Sequence, residues 1–213
     1  MRISILASGG LIGVLFISSI ALLYWVNSNT KEQIEDSYTR SMQAPLFDIL
    51  DQAFQTDAIQ IEPYPIPEKF WSLLGFKSQH HLNIVNHKNE PVALIIPATT
   101  YDGYSGKINI IVAVKRDGHI IGVRTITHSE TPGLGDKIDL SNGNWIMIFD
   151  GKSISNTPRK LWTISKEGGK FDQISGATIT SKAVIRKVFQ ALSYFEQDKS
   201  RVLNAAPSET DDL

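Results

Sequence analysis

The sequence predicts an α+β fold in which an antiparallel sheet packs against flanking helices, preceded by a single transmembrane helix. Three observations lead to this prediction. An uncharged apolar run opens the chain, β-branched segments around a hairpin turn fill its middle, and an amphipathic helical pattern closes it. Strands that follow one another in hairpins and end in a helix favour an antiparallel sheet over a parallel, doubly wound one.

The apolar run covers residues 3–26 and contains no charged side chain. It is long enough to cross a bilayer, and Tyr24 and Trp25 stand where interfacial aromatic residues are expected. A cleaved signal peptide is the alternative, but the run ends in Leu-Leu-Tyr-Trp-Val rather than in a small-x-small cleavage site. We predict an uncleaved anchor over residues 1–26, and the charges beside it favour a large domain outside the cytoplasm.

Residues 27–90 are assigned to a helical stalk followed by an extended connection. Apolar residues recur at helical spacing between positions 34 and 53, with an interruption near Pro45. Residues 62–67 carry a proline at every second position from Pro63, so they cannot form a regular helix.

Strand signals follow in residues 92–98 and 108–114, which are apolar and rich in β-branched side chains. Asp117-Gly118 is a hairpin turn signal, and it predicts a returning strand over residues 119–126. Two shorter strands are predicted near residues 145–149 and 161–164.

A helix is predicted over residues 180–197, because apolar side chains recur there at steps of three and four. These residues are Val184, Val188, Leu192 and Phe195. The predicted main domain therefore spans residues 91–198, and residues 199–213 form a polar tail.

Composition excludes several classes of function. The 213 residues carry a formal net charge of −1, so the chain has no positive field to attract nucleic acid. There is no cysteine, which excludes disulfides, thiolate catalysis, cysteine zinc sites and thiolate-ligated iron–sulfur clusters. Any redox chemistry therefore needs a borrowed cofactor.

Residues 172–178, with the sequence Asp-Gln-Ile-Ser-Gly-Ala-Thr, lead into the predicted helix. Thr178, Thr180 and Ser181 lie around the helix start, where free backbone N–H groups and the helix dipole favour an anion such as phosphate. The alternative is an ordinary helix start in which a threonine is only the N-cap.

A second loop, residues 128–136, contains Gly133 and Gly135, which would let backbone amides approach a planar ring or a phosphate. A plain surface loop is the alternative. His128 and Glu130 could ligate a metal, but two residues make a poor cage and we predict no metal site. Ser175 or Thr178 could act as a nucleophile with His128, but the sequence contains no G-x-S-x-G nucleophile elbow.

Four aromatic side chains could also stack on a ligand, although such residues more often pack in cores. The residues in question are Tyr101, Tyr104, Trp145 and Trp162.

Residues 172–178 resemble the flavinylation motif of the FMN-binding domain family. Gly103-Tyr104-Ser105-Gly106 and residues 128–135, His-Ser-Glu-Thr-Pro-Gly-Leu-Gly, resemble that family's other signatures. With its anchor, the chain over about residues 1–198 resembles the G subunits of Rnf electron transport complexes, also called Rsx complexes. Gln173 departs from the motif, which often has glycine there. The alternative is the C subunit of the sodium-translocating NADH:quinone oxidoreductase, which is typically longer between anchor and flavin domain.

The resemblance implies that FMN is bound covalently to Thr178 by a phosphoester, after transfer from FAD by a separate flavin transferase. Thr180 is the poorer acceptor, and Asp172 would assist transfer or hold the turn. The expected cofactor-binding residues are Asp172, Ser175, Gly176, Ala177, Thr178, Thr180, Ser181, Glu130, Gly133, Leu134 and Gly135.

The resemblance also implies an electron-carrying component of a translocase rather than a stand-alone enzyme. Its partners would be other membrane subunits of the complex, in the bacterial inner membrane, with the large domain on the periplasmic side. Coupling to ion movement would belong to the complex. A cofactor-free anchored scaffold is the alternative from a different class of function.

Overall fold

The chain divides into two compact units, residues 1–43 and 44–213. The structure, a computed structural model, describes residues 13, 15–22, 24, 25, 45, 49, 59–88 and 90–204. In the first unit, residues 15–22 are helical and exposed. No helix formed by the described residues is both long enough and apolar enough to cross a membrane. Most of the predicted anchor and stalk lies outside the described residues.

Five antiparallel strands form the sheet of the second unit, and their spatial order is their order in the chain. They are β1 (Ile59–Pro65), β2 (His81–His87), β3 (Glu90–Gly103), β4 (Gly106–Lys115) and β5 (Ile120–His128). The predicted antiparallel sheet is confirmed, and β3, β4 and β5 cover the three longer predicted strands.

The sheet begins earlier than the sequence predicts, because the proline-containing segment is itself a strand. Among the described residues, β1 pairs only with β2 and so lies at the edge of the sheet, where the missing N–H of Pro63 and Pro65 can be tolerated. A 3-10 turn at Glu68–Phe70 and the short helix α1 (Trp71–Leu74) connect β1 to β2. Two strands of the sheet, β1 and β2, therefore lie within residues 27–90, the range assigned to the stalk and connection.

The two long hairpins have different turns. Gly103 pairs with Gly106, so Tyr104 and Ser105 form the tight turn between β3 and β4. The predicted Asp117-Gly118 turn joins β4 to β5, and the Asp117 carboxylate accepts a 3.0 Å hydrogen bond from the N–H of His119. This N–H holds the pKa of Asp117 below its ordinary value, helped by the nearby His119 side chain.

Helix α2 (Thr178–Leu203) packs against β3 and β4 with the predicted apolar face, whose members Val184, Val188, Leu192 and Phe195 are all buried. The even-numbered residues of β4, such as Ile110 and Val112, join α2 in one core. Because successive side chains alternate between faces, the buried odd-numbered residues of β4 lie on the opposite face.

The two short predicted strands are wrong. Residues Trp145–Phe149 and Arg159–Leu161 form 3-10 turns, and within the described ranges the β-pairing near Ile164 is a single bridge to Phe171. Apolar side chains three residues apart lie on the same side of a 3-10 turn, so Ile146 and Phe149 both enter the core without a strand.

Helix α2 also extends beyond the prediction at both ends. It begins at Thr178 and continues to Leu203, so residues 199–203 of the predicted tail are helical. Residues 205–213 of that tail lie outside the described residues.

Candidate functional site

The carboxylate of Glu130 joins the three segments that carry the sequence motifs. Only 5% of Glu130 is exposed. Its Oε1 accepts a 3.0 Å hydrogen bond from the N–H of Ser105 in the β3–β4 turn, and its Oε2 accepts a 2.5 Å bond from the hydroxyl of Thr180 in α2. The turn, the loop after β5 and the start of α2 therefore meet at one side chain.

Two glycines leave room for this carboxylate. A Cβ added to Gly103 would lie 2.6 Å from Glu130 Oε1, and one added to Gly135 would lie 2.8 Å from Oε2 and 3.1 Å from Thr180 Oγ1. The contacts with the carboxylate oxygens are shorter than non-bonded contacts allow, so side chains at either position would displace Glu130.

Thr178 is the first residue of α2, and Ala177 is the N-cap. The first helical hydrogen bond runs from the N–H of Ser181 to the carbonyl of Ala177 at 3.0 Å. The N–H groups of Thr178, Ile179 and Thr180 precede it and have no partner within the helix. Thr178 is therefore not the N-cap residue of an ordinary helix start; it lies beside free donors at the positive end of the dipole.

Thr180 and Ser181, the other hydroxyls at the helix start, are completely buried. Thr180 donates to Glu130, while Ser181 Oγ donates to the carbonyl of Ala177 at 2.9 Å and accepts from the N–H of Ile174 at 3.0 Å. Thr178 is only half-buried, and among the described residues its hydroxyl has no hydrogen-bond partner. Of these three hydroxyls, Thr178 is the accessible one.

The turn before α2 is covered on one side by Leu134. Gly176 adopts φ +81°, and a Cβ at this position would lie 2.9 Å from Leu134 Cδ2. Leu134 itself is 44% exposed, and Gly133, Ser175 and Ile179 are also exposed. Exposed residues, among them the apolar side chains of Leu134 and Ile179, therefore lie in the turn and in the helix start next to Thr178 or in contact with that turn.

Asp172 holds the start of the motif in place. Its Oδ1 accepts a 3.0 Å hydrogen bond from the hydroxyl of Ser165, and its carbonyl accepts a 2.6 Å bond from the indole N–H of Trp145. The residue is exposed, so Asp172 lies at the surface of the same turn.

Two acceptors near the motifs were missed by the sequence interpretation. Gln173 Oε1 and Asp136 Oδ1 are buried and have no hydrogen-bond partner among the described residues. Ser105 was quoted only as part of a motif, although its N–H binds Glu130. No local pattern identifies such atoms, because their burial depends on how distant segments pack.

The cations of the first turns of α2 are already paired. Lys182 Nζ lies 2.7 Å from Glu167 Oε1, and Arg186 Nη1 lies 3.0 Å from Asp102 Oδ2. An anion at the helix start would therefore depend mainly on backbone N–H groups.

The remaining predicted candidates lie elsewhere or have other partners. His128 Nδ1 accepts a 3.1 Å hydrogen bond from the N–H of Glu130, which orients the ring towards its own loop. Within the described ranges, no group of three or more histidine, aspartate or glutamate side chains could hold a metal ion. Tyr101 and Tyr104 are exposed, whereas Trp162 is a core residue that packs 4.8 Å from Phe171 between ring centroids.

Comparison with known proteins identifies the family of this chain. Residues 103–193 match the FMN-binding domain family. The G subunit of the ion-translocating oxidoreductase complex from Shewanella loihica is 36% identical over 96% of this chain and 95% of that protein. Its counterpart from Pseudomonas aeruginosa is 34% identical over 98% and 95%, and that from Yersinia pestis is 39% identical over 80% of each chain.

A solved structure is also similar, that of the C subunit of the Na⁺-translocating NADH-quinone reductase from Parabacteroides distasonis. It is 27% identical, covers 61% of this chain and 65% of its own, and has a TM-score of 0.44. The matched family region contains the β3–β4 turn, Glu130 and the start of α2. The match to the FMN-binding domain family and the near full-length relatives show that the chain belongs to the family of G subunits of ion-translocating oxidoreductase complexes.

Proposed function

We propose that this chain is the flavoprotein subunit of an ion-translocating electron transport complex of the Rnf type, with FMN bound to Thr178 by a phosphoester. The observation that carries the proposal is the contrast between three neighbouring hydroxyls. Thr178 is accessible and unpartnered among the described residues, whereas Thr180 and Ser181 are buried and hydrogen bonded.

The helix start fits a phosphate group. The N–H groups of Thr178, Ile179 and Thr180 supply donors that the helix itself does not use, and the dipole favours negative charge there. Gly176, in a conformation that side chains disfavour, turns the chain so that residue 178 begins the helix at the surface.

The surroundings also fit the rest of a flavin nucleotide. Leu134 and Ile179 offer exposed apolar surface for a planar ring. When bound, FMN would supply the ability to exchange one or two electrons with partner carriers. The protein would hold this group in place, since the complex needs a carrier that cannot diffuse away.

The residues behind this surface would support it. Glu130, Gly135, Ala177, Thr180 and Ser181 are buried and fix the loop and the helix start, while Ser175, Gly176, Gly133 and Leu134 lie nearer the exposed side. Asp172, which accepts hydrogen bonds from Ser165 and Trp145, would hold the turn during flavin attachment.

Attachment requires a separate flavin transferase that uses FAD. The Thr178 oxygen forms a bond to the FMN phosphorus, the pyrophosphate P–O bond of FAD breaks, AMP leaves, and the hydroxyl proton passes to solvent. Thr178 is only half-buried and its neighbours Gly176 and Ile179 are exposed, which suits a reaction in which a second protein must reach it.

We further propose that residues 1–26 anchor the chain in the bacterial inner membrane, with residues 44–213 on the periplasmic side among other membrane subunits of the complex. The names of the relatives, which identify them as complex subunits, support the association with other subunits. The anchor and its orientation are supported by the uncharged apolar run of residues 3–26 and by the charges beside it. Ion movement would then be a property of the assembled complex.

The test is to express the full chain together with a flavin transferase and to examine the denatured protein for flavin fluorescence under ultraviolet light. We expect a fluorescent band for the wild type and for Ser193→Ala, which removes a hydroxyl of α2 that lies outside the motif and donates to the carbonyl of Phe189. Thr178→Ala should give a dark band, and mass spectrometry of the wild type should locate the flavin on Thr178. A dark wild-type band would instead support the cofactor-free scaffold.

A further inference from the structure

We infer that Glu130 and Thr180 form a positioning pair that presents the Thr178 hydroxyl for flavin attachment. This inference rests on the proposed function. It assigns to Glu130 a role at the acceptor site that is exerted through Thr180 rather than by contact with the flavin.

The first step of the inference is the burial of the pair. Glu130 is 5% exposed and Thr180 is completely buried, and the two side chains are joined by a 2.5 Å hydrogen bond. A carboxylate removed from water needs hydrogen-bond donors in place of water. Within the described part of the chain, Glu130 has two hydrogen-bond donors, both neutral, the Thr180 hydroxyl and the Ser105 N–H.

The second step concerns what the pair connects. Thr180 is the third residue of α2, two residues after Thr178, so a bond to its side chain fixes the orientation of the first helical turn. Glu130 is itself fixed, because its other oxygen accepts a hydrogen bond from the Ser105 N–H in the β3–β4 turn. The first turn of α2 is therefore attached to the sheet through one carboxylate.

The third step is that the glycines around Glu130 fit this arrangement. Gly103 and Gly135 leave no space for a Cβ beside the two carboxylate oxygens. Gly135 is thus explained by the position of Glu130, without requiring that it touch a ligand, whereas at Gly103 the carbonyl oxygen of Gly106, 2.5 Å from an added Cβ, excludes a side chain as well.

The fourth step is selectivity between hydroxyls. The bond to Glu130 occupies the Thr180 hydroxyl and buries it, so Thr180 cannot compete with Thr178 as an acceptor. Loss of Glu130 would both loosen the Thr178 position and leave the Thr180 hydroxyl without its acceptor.

The same helix provides a matched control at its other end. Asp198 is also 5% exposed, and it accepts hydrogen bonds from the Tyr194 hydroxyl at 2.9 Å and from Arg201. Asp198→Asn therefore perturbs a buried carboxylate of α2 that lies about 20 residues, or roughly 30 Å of helix, from Thr178.

The experiment measures the initial rate of flavin attachment to the full chain by a purified transferase with FAD, alongside thermal unfolding. Thr180→Val removes the hydroxyl and should slow attachment about tenfold or more, because small displacements of a reacting group reduce rates strongly. Glu130→Gln should slow it similarly, since its amide group cannot accept from both donors. Thr180→Ser restores the hydroxyl and should attach flavin at a rate within about twofold of the wild type.

Asp198→Asn should lower the unfolding temperature but leave the attachment rate unchanged. The inference is overturned if Thr180→Val and Glu130→Gln are labelled at the wild-type rate, or if Asp198→Asn slows labelling as much as they do. If Thr180→Val does not fold, Glu130→Gln and the Thr180→Ser rescue decide the matter. A wild type that is not labelled, or a labelled Thr178→Ala, contradicts the proposed function as well; labelling at Thr178 with no effect of the pair contradicts this inference alone.

Discussion

Leu134 lies directly over Gly176, with its Cδ2 atom 2.9 Å from the position that a Cβ at residue 176 would occupy. This contact joins the loop after β5 to the turn that precedes α2. The glycine is thus constrained twice, by its φ of +81° and by the leucine above it.

We expect Gly176→Ala to lower the free energy of unfolding by about 2 kcal/mol, because a left-handed backbone disfavours a Cβ and the new methyl group contacts Leu134. Leu134→Ala should remove the steric part of this loss. Urea unfolding of the two single variants and the double variant measures the coupling. Strictly additive effects would show that the contact with Leu134 does not matter.

A second comparison separates the two glycines of the loop after β5. Gly135→Ala places a Cβ 2.8 Å from Glu130 Oε2, so we expect a loss of about 2–3 kcal/mol in unfolding free energy. Gly133→Ala meets no atom within 4 Å and carries only the strain of φ +76°, about 1 kcal/mol. Urea unfolding distinguishes these values. Equal losses would argue against close packing of Glu130 on Gly135.

The third prediction concerns Lys187, a buried side chain of α2 whose Nζ donates a 3.0 Å hydrogen bond to the carbonyl of Leu73. Burial lowers its pKa from 10.5 to about 8, although Asp102 opposes the shift and Arg186 adds to it. Between these two pKa values the unfolded chain binds more protons than the folded one. Stability from this residue is therefore lowest below pH 8 and rises as pH increases towards 10.5.

Comparison with Lys187→Met isolates this contribution. The unfolding free energy of the wild type relative to the variant should rise by about 2 kcal/mol between about pH 7 and pH 9.5. Urea unfolding at several pH values gives the difference directly. Curves that remain parallel over this range would mean that Lys187 keeps an ordinary pKa in the folded protein.

Local patterns predict the parts of the fold that depend on near neighbours. Asp117-Gly118 marks a turn that the structure contains, and the spacing of Val184, Val188 and Leu192 identifies the buried face of α2. The segment of β1 is predicted as a connection because prolines such as Pro63 oppose helix and central strand alike. Only the position of β1 at the sheet edge, a property of the tertiary structure, makes it a strand.

The candidate site likewise has features that the sequence predicts and features that depend on tertiary structure. Family membership, which the motifs predict, is confirmed by the relatives, and α2 begins at Thr178, within two residues of the predicted start. The pairing of Glu130 with Thr180 could not be predicted from local pattern, because the two residues are 50 positions apart and meet only when α2 packs on the sheet. Its signal in the sequence is indirect, in the glycines that surround Glu130.

The strands follow one another in space as they do in the chain, and α2 comes last. As the chain emerges from its N-terminus to its C-terminus, the sheet can therefore assemble before the final helix is available, but the surroundings of Thr178 cannot. Glu130, in the loop after β5, lacks its hydrogen-bond partner Thr180 until α2 docks on the sheet and buries the apolar face of the helix. The surroundings of Thr178 are therefore complete only when the whole domain has folded. With Thr178 as the proposed attachment site, cofactor loading would be restricted to chains that have finished folding.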